Sequence, residues 1–434
     1  MKVSSDYLKT SGTLVLYFQP NGDDEARIER SRAKLARPGA SFVVGTYDVH
    51  PDVYALACLT IIAPFTHSLL ELDEPVSVGF RDLVRSLLKI DISPVSDAVQ
   101  PRAKPVEGVE GLSFSGGVDS VAALKILPYD SVSVFSHRLR PRTAPQTLYR
   151  SDAALNSCRL LAAEGRTIEI LENTAEHARY PAGFSTDWTT VTGALFRAEE
   201  LRLASLNFGM IAEAAYRLGH PRFSDVSSRG MFRDWRKLFA YVNVPLSLPT
   251  AGLSEVITSR IALEHAANLE PQSCVRGRVG EPCNACYKCF RKQLLTARLQ
   301  GNVLPDAFFD NAIQSPPIRT QLAEPHMHLE NVIAYAVHGI RSDHPLAMAL
   351  RRKTQAIMDY AGGLTLLERH YGPSISTVAD HLQASVSKVI TQYAGSMDET
   401  ECKIVTEWDL SKIEGDDRRQ RAYQDILRIL DSRT

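Results

Sequence analysis

Apolar residues recur along the chain at spacings of two and of three to four, and the order in which these spacings follow one another separates three sections. In residues 1–105, runs at Thr13–Phe18, Ser41–Val44 and Val76–Val78 predict strands, while Glu25–Leu35 and Phe80–Leu88 carry helical spacing. Asn21-Gly22 supplies a turn between the first strand and helix. The stretch SPVSDAVQPRAKPVEGVEG, rich in Pro, Ser and Gly, then closes this α+β section as a connection.

In residues 106–300 a short apolar strand feeds the glycine turn of GLSFSGGVDS and the helix VAALKIL. A second strand is predicted at Ser131–Phe135, a helix at Ala153–Glu164 and a third strand at Thr167–Leu171, followed by helices at Leu201–Leu218 and Leu253–Ala267. Strand–helix–strand alternation predicts an α/β fold, a central parallel sheet with helices on both faces and ligands at the carboxyl ends of its strands. Residues 301–434 are helical in rhythm, with candidates at His328–Ala336, Pro345–Tyr360, Ser376–Tyr393 and Arg418–Leu430.

Composition narrows the classes. A chain of 434 residues that is 44% hydrophobic and 23% charged is that of a soluble, several-domain globular protein. Its 49 basic and 50 acidic side chains leave a net charge of −1, which argues against bulk coating of nucleic acid and confines any polyanion site to a local patch. The longest apolar stretch, the thirteen residues from Val53 to Phe65, falls short of the roughly 18–20 a membrane span needs. Leu14 to Phe18 is too short for a secretory h-region, so a cytoplasmic setting is expected.

Two motifs carry chemistry. Ser115-Gly116-Gly117-Val118-Asp119-Ser120 lies between an apolar strand and an apolar helix. Paired glycines let the backbone present bare N–H groups, and the helix adds the positive end of its dipole, which together make an anion pocket. The Gly-Lys-Ser/Thr of the Walker loop is absent. Asp119 is placed either to steer Mg²⁺ or to brace the turn.

The second motif is a cysteine cluster. Of seven cysteines, Cys274, Cys283, Cys286 and Cys289 fall within sixteen residues. Four thiolates with two C-x-x-C steps match a closed tetrahedral zinc site; an iron–sulfur cluster is the rival, though the Cys-Pro of ferredoxin runs is missing. His326 and His328 lack a third ligand nearby and read as a helix entry. TVADHLQASVSKVITQY has a helix-turn-helix rhythm without the turn glycine or a basic flank, so a packed helical pair is expected.

The SGGVDS loop resembles the signature of the N-type ATP pyrophosphatases, the PP-loop superfamily, whose fold is that of the adenine nucleotide alpha hydrolases. With CNACYKC and Cys274 downstream, the pair is similar to 7-cyano-7-deazaguanine synthase, the QueC type, over about Gly108 to Gln300. That resemblance implies ATP and Mg²⁺ at the loop, held by Ser113, Ser115, Gly116, Gly117, Asp119, Ser120 and His137, and Zn²⁺ on the four cysteines. It implies catalytic roles for Asp119, Ser120 and Arg138, and a deazapurine substrate near Asn207, Asp225 and Arg229.

Arg138, Arg140 and Arg142, together with Arg229, Arg233, Arg236 and Lys237, are the local cation clusters available for charge on the α-phosphoryl oxygens. The family's lysine before the zinc segment has no counterpart in GLSEVITSR. The surplus sequence at both ends resembles the enlarged QueC-like proteins of bacterial antiphage systems, of the QatC kind.

The expectation is therefore an ATP-dependent ligase that adenylates a 7-carboxy-7-deazaguanine-like carboxylate and passes it to ammonia or a protein amine, giving an amide or a nitrile. A protein partner is expected through one of the end sections, and nucleic acid is not. The alternatives are a PP-loop tRNA-thiolating enzyme, which needs a nucleophilic cysteine outside the zinc set such as Cys158, or a non-catalytic ATP-binding scaffold of a defence complex.

Overall fold

A computed structural model describes residues 1–144, 149–265 and 271–432. Its strands are β1 (Lys2–Leu8), β2 (Thr13–Gln19), β3 (Lys34–Leu35), β4 (Gly39–Val43), β5 (Leu69–Val76) and β6 (Asp91–Val95). After the Pro-rich connection follow β7 (Val109–Ser113), β8 (Val132–Arg138), β9 (Ile168–Asn173), β10 (Arg179–Tyr180), β11 (Leu203–Phe208) and β12 (Leu246–Ser247). Ten of these form one sheet in the order β12-β11-β7-β8-β9-β4-β2-β1-β5-β6, and β3 pairs separately with β10. Only the pairs β1–β2, β2–β4 and β4–β9 are antiparallel; the other six pairs of the large sheet are parallel.

The strands sort their side chains by period two. On β8, Val132 and Val134 enter one core while Phe135 enters a second on the opposite face. The second core holds the helices Val118–Ile126 and Glu255–Glu264; the first holds Pro51–Ile62, Thr192–Phe196 and Gly230–Tyr241. Helices thus flank both faces, as the alternation of elements requires. From β7 the chain runs outward through β8 to β9, then crosses back to β11 and β12 on the other side of β7. The direction of winding reverses between β7 and β11, so a crevice opens at their carboxyl ends.

Residues 1–105 prolong this sheet. Phe42 of β4 stands opposite Asn173 of β9, the Ser41 N–H donates to Thr174 Oγ1 at 2.9 Å, and the Phe42 ring meets Phe196 edge-on at 5.1 Å. The described residues after 301 are helical, and Pro345–Tyr360 packs between Glu330–Gly339 and Asp417–Asp431. The buried pair Arg419–Glu330, at 2.9 Å, fastens the closing helix. Among the described residues no helix is long and apolar enough to cross a membrane.

Several elements differ from the pattern-based reading. The expected helix Leu201–Leu218 is instead β11, followed by a single turn at Ala212–Ala215. LASLNF is largely buried on both faces because it lies inside the sheet, and periodicity alone does not separate such a strand from a buried helix. The strand placed at Val76–Val78 ends at Val76, since Ser77 caps the next helix by accepting from the Phe80 N–H. The first helix stops at Arg30, freeing Lys34 and Leu35 to pair with β10.

In the helical section, Ser376–Tyr393 is helical only from Gln383, after two short 3₁₀ turns, and Val386 and Ile390 are buried in the core of the Val118–Ile126 helix. The helix begun near Leu253 runs Glu255–Glu264, and Ala267 lies outside the described residues.

Because the β4–β9 seam and a shared core join the first section to the second, Phe42→Ala is expected to cost about 3–5 kcal/mol. Calorimetry should show the whole thermal transition moving down. A fragment spanning residues 1–105 that melts separately would contradict the shared core.

Candidate functional site

The crevice between β7 and β11 is where the SGGVDS loop sits. Phe208 pairs with Ser113, so the two strands end level and their exit loops face each other. Gly116 has φ +70°, and a Cβ there would come within 2.8 Å of Ala154 Cα, so the turn requires glycine. The helix Val118–Ile126 starts from Gly117 with no cap bond from that residue; its first N–H, of Val118, goes to Ser273 Oγ, and the positive end of its dipole points at the crevice. Ser120 Oγ instead donates to the Gly117 carbonyl at 2.9 Å and accepts from the Ser115 N–H at 3.3 Å, fixing the loop from within. On the facing loop a Cβ at Gly209 would lie 2.6 Å from the Asp119 carbonyl, so the β11 exit is pressed onto the first turn of the helix.

A cavity of 560 Å³ opens here. Ser113, Ser115, Gly117, Asp119 and Ser120 line it together with Asp187, Trp188, Phe208, Glu213, His220 and His328. Trp188 and Phe208 meet edge-on at 5.0 Å and form an aromatic wall. Burial, then the neighbouring His328, hold His220 neutral, down to about 4, while burial raises the Asp187 carboxyl against the pull of Arg229. A larger cavity of 710 Å³ lies behind Ser273 and Lys288 and is mostly apolar; the smaller one carries the convergent polar groups expected of a binding site.

The cation the sequence seemed to lack comes from inside the cysteine motif. Lys288 stands between the last two cysteines and lines the cavity; Lys292, one turn further along the helix Tyr287–Gln300, places its Nζ 3.6 Å from Asp119 Oδ1 and 2.7 Å from Glu255 Oε1. Asp119 also accepts from Thr258 Oγ1 at 2.9 Å. Among the described residues its contacts are thus the Thr258 hydroxyl and the Lys292 ammonium, and the other carboxylates of the cavity, Asp187 and Glu213, stand on other elements. A magnesium ion would have to arrive on phosphate oxygens.

Beneath this lies a buried charge network. Arg291 grips Glu255 bidentately at 2.7 and 3.1 Å. Burial raises the Glu255 carboxyl, but Arg291 and Lys292 prevail and bring it down to about 2. Glu213, after β11, accepts from the Glu255 backbone N–H at 3.0 Å and from Asn331 Nδ2 at 3.2 Å. Burial, then the charge of Glu255, push Glu213 up to about 8.

The sulfurs of Cys274, Cys283, Cys286 and Cys289 all lie within 4.8 Å of one another, with Cys286–Cys289 at 3.5 Å and Cys283–Cys289 at 3.8 Å. A tetrahedral Zn–S distance of about 2.3 Å requires sulfurs about 3.8 Å apart, so this group is arranged to hold a metal ion such as zinc. With four protein ligands it leaves no open position. The chain leading into it is bonded to the phosphate loop: the Gln272 N–H donates to the Gly116 carbonyl at 2.9 Å, and the Val118 N–H donates to Ser273 Oγ at 3.3 Å.

Other expected residues are placed as follows. Arg138 lines the cavity, with its guanidinium 3.2 Å from Glu176 and stacked 3.9 Å over Tyr149. His137 and Arg138 are the last residues of β8 and not part of a following turn; His137 sits outside the cavity against Ser151 and Glu172. Asn207 is buried in β11, where its Nδ2 donates to the Gly111 carbonyl at 3.0 Å, tying β11 to β7. Asp225 ends no strand but caps a 3₁₀ turn, accepting from the Ser227 N–H at 2.8 Å. Arg229 donates to the carbonyls of Ala214 and Ala215. Neither Asp225 nor Arg229 lines the cavity, but both act electrostatically on its rim through Asp187 and Tyr216. His326 is held by Glu330 and Glu414, not by a metal set.

A family of unknown function, DUF6395, matches residues 234–409. That span contains the cysteine group, Glu255, Lys288, Lys292 and Asn331, and begins beyond the SGGVDS loop. No curated protein and no solved structure matches the chain.

Two outcomes follow from this geometry. Cys286→Ser with Cys289→Ser should drop bound metal from about one per chain to below about a tenth, as read by atomic emission on the purified protein. Glu213 keeps its proton to about 8 in the fold but to only 4.5 in the free side chain, so its contribution is fully present below 4.5 and is lost as pH rises toward 8. Relative to Glu213→Gln, wild type should therefore lose on the order of 2 kcal/mol between pH 6 and pH 8 in urea melts. A constant difference would mean Glu213 is ionised throughout.

Proposed function

We propose that the chain is an ATP-dependent adenylating ligase of the PP-loop type, acting on a deazapurine carboxylate of the 7-carboxy-7-deazaguanine kind, with the reaction supported by a structural zinc. The observation that carries this reading is the SGGVDS loop at the carboxyl end of β7, at the reversal point of a parallel sheet, with Lys288 and Lys292 brought to Asp119. In this reading ATP supplies the adenylyl group: a substrate carboxylate oxygen displaces pyrophosphate from the α-phosphorus, and an amine then displaces AMP to leave an amide.

The chain's own contribution is positioning and charge. Loop N–H groups and the Ser115 hydroxyl cradle phosphate oxygens, Ser120 braces the loop from within, and Lys288 offers positive charge where negative charge grows. The part of the cavity lined by Trp188, Phe208 and Asp187 has the flat apolar walls and the carboxyl that suit a guanine-like ring. The metal group would hold Gln272 and Ser273 against the loop without touching the reaction.

Thiolation is disfavoured by one observation. Cys158, the sulfur it would need, is 1% exposed, and burial pushes its thiol up to about 12. A non-catalytic scaffold would retain the loop and ignore Asp119.

Incubation with ATP, 7-carboxy-7-deazaguanine and ammonia should release pyrophosphate and AMP in equal amounts. Asp119→Ala should lower turnover at least about a hundredfold while leaving ATP binding within a few fold by calorimetry. Binding without turnover in the wild type would favour the scaffold; neither binding nor turnover, with the metal in place, would sink the reading.

A further inference from the structure

The cavity does not end at Arg138 and Tyr149. Both residues also line two further hollows, of 770 and 400 Å³, that continue away from the phosphate loop over the carboxyl ends of β8 and β9. The three hollows thus make one trough, with its head at the SGGVDS loop.

The charge of its outer part is lopsided. Arg37, Arg138, Arg140, Arg150, Arg179 and Arg276 line it, against only Glu176 and Asp152 among the described residues. In a chain of net charge −1 this is a local excess of positive charge. Every strong cation lining these two hollows is arginine and none is lysine. Guanidinium grips phosphate bidentately and stacks on rings, which an ammonium does not. Rings are present as well. Tyr149, under the Arg138 guanidinium at 3.9 Å, lines both hollows, and Tyr180 is 60% exposed at the trough's edge.

We infer that this trough binds a single-stranded nucleic acid, its phosphates on the arginines and a base against the exposed Tyr180 ring, with one end directed into the SGGVDS-loop cavity. Phosphate contacts along a groove with interleaved ring faces are what a single strand needs, and base stacking asks for no sequence. An acidic peptide would satisfy the charge but leave the ring faces without flat partners. The expected absence of nucleic acid rested on net charge, which averages this patch away. The inference does not depend on adenylation: a strand can be held with no ATP present.

The test uses fluorescein-labelled 12-nucleotide RNA and DNA and a poly-glutamate peptide of similar charge, titrated with the full chain and no ATP. At least one oligonucleotide should bind at 50 mM salt and weaken steeply as salt rises, with a log–log slope of roughly 3–4 for five or six phosphate contacts on a single strand. Arg37→Glu combined with Arg276→Glu should weaken binding at least about tenfold. Melting temperature and metal content are read alongside, and Arg276→Ala, a change at an exposed side chain, should give a smaller loss in the same direction. No oligonucleotide binding, or binding that neither variant alters, overturns the inference. Tight binding of poly-glutamate alone overturns it in favour of an acidic protein partner. Pyrophosphate release, measured separately, reports on the adenylating reading whichever way this result falls.

Discussion

The site depends on one buried charge. Glu255, its side chain 1% exposed, stays ionised because Arg291 and Lys292 surround it, and neither cation would be tolerated at that depth without it. Each partner brings a different piece of the chain. Arg291 and Lys292 fix the rotation of the Tyr287–Gln300 helix, which sets where Cys286 and Cys289 present their sulfurs and carries Lys288 to the cavity. Lys292 reaches on to Asp119 at the start of the loop helix, and the Glu255 backbone N–H holds Glu213 at the exit of β11. Losing Glu255 would leave Arg291 buried without its ion-pair partner and Lys292 with Asp119 alone, a far larger penalty than the pair's net contribution to stability.

The same arrangement explains why two buried glutamates behave in opposite ways. Glu255 takes the available positive charge; Glu213 receives only dipoles, from one backbone N–H and from Asn331, and faces a neighbouring anion. Asn331 belongs to the helical section after residue 301, as do His328 and Leu329 of the cavity wall. The closing helices therefore complete the site. The segment from 234 to 409 that matches a family of unknown function carries the cysteines, the charge network around Glu255 and this wall, and the SGGVDS loop lies outside it.

What the sequence made legible were features whose chemistry is local. SGGVDS between a strand and a helix, and four cysteines at metal spacing, each predict a local structure within a few residues, and the chain folds as a glycine turn between strand and helix and as a four-sulfur group that could hold a metal ion. The α/β alternation was legible for the same reason. Elements buried all round were not. Pro51–Ile62 has eleven of its twelve residues buried, so it shows no polar stripe and reads only as an apolar stretch. β11 hides in the same way inside the sheet. Lys288 and Lys292 escaped because their meaning comes from Asp119, about 170 residues earlier, and no periodicity joins such positions.

Net charge was the least informative quantity of all, and the structure explains why. Basic and acidic side chains balance to −1 over the chain, but the balance is not local. Many carboxylates are spent in closed pairs away from the site, such as Glu330 with Arg419, Glu169 with Arg197 and Glu199 with Arg102. The arginines of the trough meet only two carboxylates between the six of them. An electrostatic field at a surface is set by which charges remain uncompensated within about a Debye length, some 8–10 Å in ordinary salt, and not by their sum. A neutral chain can therefore present a strongly positive groove, provided its folding pairs the surplus acids elsewhere.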